Sequence, residues 1–323
     1  MSLLPVDAAV VLAYNLSDSL WIPAQRIHRK VLCLELLDQP KGRHAMQIHH
    51  LNCASIHTHT RFPGVTHCLL VEMDERLLLV DTGFGIQDHR SPTRHMQAFM
   101  TLNGVPRDPA ETAIQQIGRL GYAPENVQHI VLTHLHLDHA GGLPDFPWAQ
   151  VHVLAQEHVA ATRRRRWSLK EASGYHPAHW AHGPQWVIHH LEGKRWFGLE
   201  CTRVMDRPGC EVQLVALAGH SLGHCGVAVR TTGGWMLHCG DAYVRQMQVD
   251  PYQARNPFPG WARPLANSMF PSKTLATIRA LLRNHGGEVE VFCSHDRVEF
   301  ARYRADQLLP GYGWRAGQRN TLG

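Results

Sequence analysis

Residues 127–139 read Val-Gln-His-Ile-Val-Leu-Thr-His-Leu-His-Leu-Asp-His, a largely apolar run that gives way to leucines alternating with histidine and aspartate. The first half predicts a buried strand, since β-branched and large apolar side chains fill a pleated surface packed on its faces. The second half places His134, His136, Asp138 and His139, four potential metal ligands within six positions, at the end of that strand. A loop leaving a strand turns His134 and His136 to one side while Asp138 and His139 face a second position. Zinc and similar borderline metals take this mixture of imidazole and carboxylate. Whatever the chain folds into must therefore deliver a strand end into a polar cleft. An isolated His-x-His carries far less weight: His57-Thr58-His59 has the same spacing and no further ligands.

The rest of the chain bounds the setting. With 44% apolar residues in 323, it fills a sizeable core and suits one large domain or two modest ones. No apolar stretch reaches spanning length, and the first residues lack a basic region ahead of their short apolar run, so a soluble, unexported protein is expected. The eight cysteines form no Cys-x-x-Cys pair and sit mostly beside apolar residues, which predicts reduced thiols and a cytoplasmic location. The 25 histidines nearly equal the 27 aspartates and glutamates, and much of this imidazole is expected to be ordinary polar surface. It predicts a stability that changes below about pH 6.5, where free histidine titrates. Net charge is only +5 and the one dense basic run, 163–166, reads as a solvated face. The expected partner is a small-molecule substrate, neither nucleic acid nor membrane.

Residues 1–45 lack a clear period and end in a polar stretch, so they are read as an N-terminal extension, with Met46 a candidate translation start. The catalytic domain is placed at 46–310 and a C-terminal tail at 311–323. Strands are predicted at 66–72, 76–81, 127–133, 151–154, 211–217, 226–230, 235–239 and 288–293, and helices at 110–120, 156–165, 272–284 and 298–309. Strands in groups punctuated by helices indicate an α/β protein whose sheets are covered by helices, rather than a doubly wound unit. The span 163–209, weakly periodic and rich in Trp, His and Arg, is expected to be a lid or substrate-facing insertion. Its Trp167, Tyr175, Trp180 and Trp186 suit an apolar or acyl group or pack on the domain surface.

Five ordered segments carry a family resemblance. His134-Leu-His136-Leu-Asp138-His139, Gly219-His220-Ser-Leu-Gly-His224, Cys239-Gly240-Asp241, Cys293-Ser294-His295-Asp296 and Val80-Asp81-Thr82-Gly83 together resemble the motifs of the metallo-β-lactamase superfamily over roughly 46–306. The resemblance implies a four-layer αβ/βα sandwich of two mixed β-sheets flanked by helices. It also implies a binuclear site: His134, His136 and His220 on one metal, Asp138, His139 and His295 on the other, and Asp241 bridging. Two divalent ions are implied, zinc first, with manganese or iron also compatible.

Such a pair presents a bridging hydroxide near neutral pH and polarises the bond to be broken. The reading is thus a lactonase- or esterase-like hydrolase of a small ester, lactone or thioester. Asp138 serves as proton donor or acceptor, and Tyr243, two residues past Asp241, is read either as a candidate to meet the substrate carbonyl or as a packed aromatic. Asp81 is either an outer partner of a ligand imidazole or a turn cap. His224 is read as a hydrogen-bonded neighbour of the site, His67 as a core or pocket-wall residue, and His57 and His59 as candidates for its rim. The alternatives are a phosphodiesterase or nuclease of the same fold and an iron-dependent oxidoreductase resembling persulfide dioxygenases. Hydrolysis of β-lactams is not expected.

Overall fold

A computed structural model describes residues 46–57, 63–73, 76–163, 174–207 and 210–307. The predicted extension 1–45 and tail 311–323 lie outside the described residues, as do His59, Trp167 and most of the basic run.

Two six-stranded mixed sheets form the framework. In the first, β1 (Ile48–Ile56), β2 (Gly64–Met73) and β3 (Arg76–Val80) are antiparallel neighbours, and β4 (Val127–Val131), β5 (Gln150–Leu154) and β6 (Gln185–His189) add on in parallel. In the second, β7 (Lys194–Trp196), β8 (Leu199–Arg207), β9 (Cys210–Ala216), β10 (Cys225–Thr231) and β11 (Gly234–His238) run antiparallel, and β12 (Val289–Phe292) closes the order parallel to β11. Parallel neighbours need long crossovers. These are supplied between strands by α1 (Ile86–Arg90), α2 (Arg94–Asn103), α3 (Ala113–Arg119), α4 (Leu137–Ala140) and α5 (Ala155–Thr162), and before β12 by α6 (Arg263–Met269) and α7 (Ser272–His285). A last helix, α8 (Arg297–Gln307), follows.

The packing explains why β2 and β3 read as continuous apolar runs. Leu69, Val71, Leu78 and Val80 face Val212, Leu214 and Val227 of the second sheet, while Leu70, Leu77 and Leu79 point the other way, onto Ile117 of α3. On the outside of the second sheet, Val215, Ala228 and Leu237 pack under Ile278 and Leu281 of α7. Both faces of each sheet are therefore buried, which removes the polar alternation of a half-exposed strand. Each such Leu or Val contributes about 1.5–3 kcal/mol. The layers run helix, sheet, sheet, helix: the four-layer sandwich.

The described part of 163–209 is built into the two sheets, and its Tyr175 forms a β-bridge with His136. It supplies edge strand β6 of the first sheet and β7 and β8 of the second. Trp180 and Trp186 pack against the outer core of the first sheet. The segment lacked a clear period because edge strands are half exposed: β6 and β7 together bury only Trp196.

Candidate metal centre

Five loops leaving the C-terminal ends of β3, β4, β9, β11 and β12 build the site. They converge through backbone bonds between the sheets: Cys225 N–H donates to Thr133 O at 3.0 Å and His67 N–H to Ser294 O at 2.9 Å. Past β4 the alternation does what side-chain geometry requires. Leu135 and Leu137 sink fully into apolar clusters, which turns the intervening histidines toward the cleft. His136 occupies the position just before α4, whose single turn carries Asp138 and His139.

All seven side chains of the expected ligand set come together. His134, His136 and His220 form one group, and Asp138, His139 and His295 another; the coordinating atoms within each lie within 4.8 Å of one another. Asp241 groups with His134 and His139. Its carboxylate stands 3.4 Å from His220 Nε2, 3.3 Å from His139 Nε2 and 3.1 Å from His295 Nε2, so it faces both groups. Asp138 lies 3.5 Å from His295 Nε2. His220 Nε2 is 3.0 Å from His136 Nδ1.

The donors suit cations. His134 Nε2 is buried with no hydrogen-bond partner, and His139 Nε2 and Asp241 Oδ1 face each other without hydrogen-bond geometry. Buried polar atoms left this way are destabilising unless something else binds them. Burial, reinforced by neighbouring imidazoles, holds His134 and His136 well below the ordinary histidine pKa, in the neutral form a metal requires. At His139 and His295 burial opposes protonation, but Asp241, with Asp138, outweighs it and raises both. Burial pushes Asp241 up, yet His295, His139 and His220 together pull it far down. The set has the composition of two imidazole-rich positions sharing a carboxylate.

Outer contacts orient these side chains. Asp81 accepts from Thr133 N–H and Thr133 Oγ1, each at 2.8 Å, and from His139 Nδ1 at 2.8 Å. It is thus both a cap of the strand end and the partner that fixes His139 with Nε2 facing the cleft. It occupies left-handed backbone, φ 54°, a conformation aspartate tolerates better than most residues. His295 Nδ1 donates to Val65 O at 2.7 Å. His224 is the expected neighbour: Nδ1 donates to Leu217 O and Nε2 accepts from Asp241 N–H, both at 2.9 Å. Sequence reasoning missed Gly174, where a Cβ would lie 2.6 Å from the His136 ring.

Other expected residues fall elsewhere. Tyr243 is a correction: it is 0% exposed, packed in the outer core of the second sheet, with its hydroxyl donating to Glu299 at 3.0 and 3.2 Å. Its hydroxyl is turned to that carboxylate rather than to the cleft. His67 is a core residue paired with His50, and His57 is exposed.

Comparison with known proteins agrees with this geometry. Residues 61–265 match the metallo-beta-lactamase superfamily. The chain is 40% identical over 254 residues to a probable metallo-hydrolase of Mycobacterium tuberculosis, spanning 78% of this chain and 80% of that protein. It is 30% identical over 205 residues to an N-acyl homoserine lactonase of Bacillus thuringiensis, spanning 62% and 72% of the two. The solved structure of a B. thuringiensis AiiA variant, with N-decanoyl-L-homoserine bound at its active site, shares the fold with a TM-score of 0.58 at 20% identity, covering 80% of this chain and 97% of that one. With the family match extending over more than half its length, the chain belongs to the metallo-β-lactamase superfamily.

Proposed function

We propose that this protein is a binuclear metal-dependent hydrolase of small carboxylic esters, with lactones the preferred class and thioesters and open esters close behind. The observation that carries the reading is the convergence of six side chains into two groups of three that face the carboxylate of a seventh residue, Asp241. His134, His136 and His220 would hold one divalent ion and Asp138, His139 and His295 the second, with Asp241 between them; zinc fits this donor set best. Two such ions, when bound, supply Lewis acidity and bring the pKa of water toward neutrality.

The chain's own groups do the rest. Asp138 is buried among these side chains with its own side chain 11% exposed, so its carboxylate keeps some access to solvent and would carry a proton to the leaving oxygen. Asp81 holds the His139 tautomer through the cycle. The lactonase relative at 30% identity supports the choice of lactones over phosphodiesters.

The test is a panel of lactones, thioesters, aryl esters and bis-aryl phosphodiesters, run on zinc-, manganese- and iron-loaded protein with His134→Ala as blank. Lactones should turn over fastest. Phosphodiesters leading the panel would overturn the substrate class, and oxygen consumption on a persulfide by the iron form would overturn hydrolysis.

A further inference from the structure

One carboxylate away from the ligands touches the flank of each member of the three-imidazole group. Glu157, in the first turn of α5, is 0% exposed. Its Oε1 accepts from Leu135 N–H at 2.9 Å and from the Tyr175 hydroxyl at 3.1 Å. Its Oε2 accepts from the Ser221 hydroxyl at 2.6 Å and from Gly223 N–H at 3.1 Å. Leu135 separates His134 from His136, and Ser221 follows His220. Tyr175 forms a β-bridge with His136 and sets its ring 5.1 Å from that imidazole. The backbones touch as well: a Cβ on Gly223 would lie 2.0 Å from Glu157 N, so the loop bearing His220 rests directly on α5.

A fully buried carboxylate is destabilising unless its oxygens are satisfied. Here three of the four donors flank the three-imidazole group, Leu135 between two of its members, Ser221 next to the third and Tyr175 against His136. The fourth, Gly223, lies on the loop that carries His220. We propose that Glu157 is the positioning residue for that metal position, locking the strand end that carries His134 and His136 against the loop that carries His220. This rests on reading the cluster as a metal centre, and it is independent of the substrate. The group of Asp138, His139 and His295 is held by other contacts, Asp81 and Val65 O among them.

Leu135 and Gly223 present only N–H groups, so both oxygens of residue 157 must accept. Glu157→Gln keeps the size but offers one acceptor and one NH2, which meets a donor wherever it turns. One ligand segment is then released while the other position stays intact.

The experiment uses the full chain, stripped by chelator and titrated with cobalt(II) and then zinc. It reads stoichiometry, chelator competition and the visible ligand-field spectrum. The wild type should take up two ions. Glu157→Gln should hold one of them unchanged and bind the other about 10–100-fold more weakly, with the ligand-field bands of that ion altered. Ser221→Ala, which deletes one hydroxyl donor, should weaken the same ion less, and it carries the test if Glu157→Gln fails to fold. Two ions with wild-type affinity and spectrum in both variants, or equal weakening of both ions, would overturn the role of Glu157 while leaving the metal centre standing. A wild type that binds no cobalt would overturn both.

Discussion

Two populations of histidine occupy this molecule, and only one of them has members that facing carboxylates drive upward. At the centre, His139 and His295 stand within 3.3 Å of Asp241, and the carboxylates raise both above the ordinary pKa against the pull of burial. Between the sheets, histidines pair with one another instead. His50 Nδ1 meets His67 Nε2 at 2.7 Å, and His238 Nε2 donates to His67 O at 2.6 Å. On β4, β5 and β6, His129, His152 and His189 form a string with nitrogen contacts of 3.1 and 3.0 Å. Burial, with like imidazoles adding to it, lowers His50 and His152 to about 3. Burial is common to both populations; at His139 and His295 the facing carboxylates outweigh it, whereas at His134 and His136 burial and neighbouring imidazoles prevail. An imidazole cluster with carboxylates facing it is built for cations, whereas one without them is a neutral hydrogen-bonded core.

The largest test of that distinction removes one member of each set. His134→Ala should abolish turnover and lower metal content, while His67→Phe, in an aromatic environment of Phe292, Phe300 and Tyr303, should keep both ions and its rate. Metal analysis and initial rates on the two variants decide it, and equal loss of metal in both would erase the distinction. Next in size is Asp81→Asn. The amide keeps the shape but disrupts the acceptor that fixes His139, so metal affinity should fall about 10–100-fold in chelator competition. Unchanged affinity would make Asp81 a turn cap only.

The third test concerns acid. A histidine held near pKa 3 in the folded state is protonated in the unfolded chain near 6.5, so its contribution to stability is present above 6.5 and is lost as pH falls toward 3. Between pH 7.5 and 5.5, the unfolding free energy of the metal-saturated wild type should fall by about 1.4 kcal/mol more than that of His152→Phe, which lacks this titration. Denaturant unfolding at the two pH values measures it. Parallel profiles would show that the string takes up its protons while folded. At the metal-free centre the sign reverses: His139, raised in the folded state, contributes stability below pH 6.5 that disappears as pH rises through its folded pKa.

How legible each population was follows from the range of the contacts that make it. His134, His136, Asp138 and His139 were readable because spacing alone puts them on one strand end. The remaining members of the cluster were readable only through ordered motifs, since a contact such as His220 with His136 spans 84 positions. Glu157 left no local trace, as its partners lie 18 to 66 residues away. The buried strands β2 and β3 announced themselves, whereas β6 and β7 did not: they lie at sheet edges, where water covers part of each side chain and the apolar period fades.

Tyr243 gives the smallest and sharpest prediction, because it shows that nearness in sequence to a ligand does not fix direction. Gly240, at φ 54°, turns the chain so that Asp241 reaches the centre, while Tyr243 passes into the core of the second sheet. Its hydroxyl serves Glu299, a carboxyl that burial raises to about 7 and that also accepts from Cys293 N–H at 2.9 Å, two residues before His295. Tyr243→Phe deletes one hydrogen bond and little volume, so unfolding should become easier by about 1 kcal/mol, with kcat and KM within about twofold of wild type. If kcat instead fell by about 100-fold or more, as when a donor to the developing charge is removed, the hydroxyl would have to reach the substrate. The cleft would then include a residue that the ground-state structure places in the core.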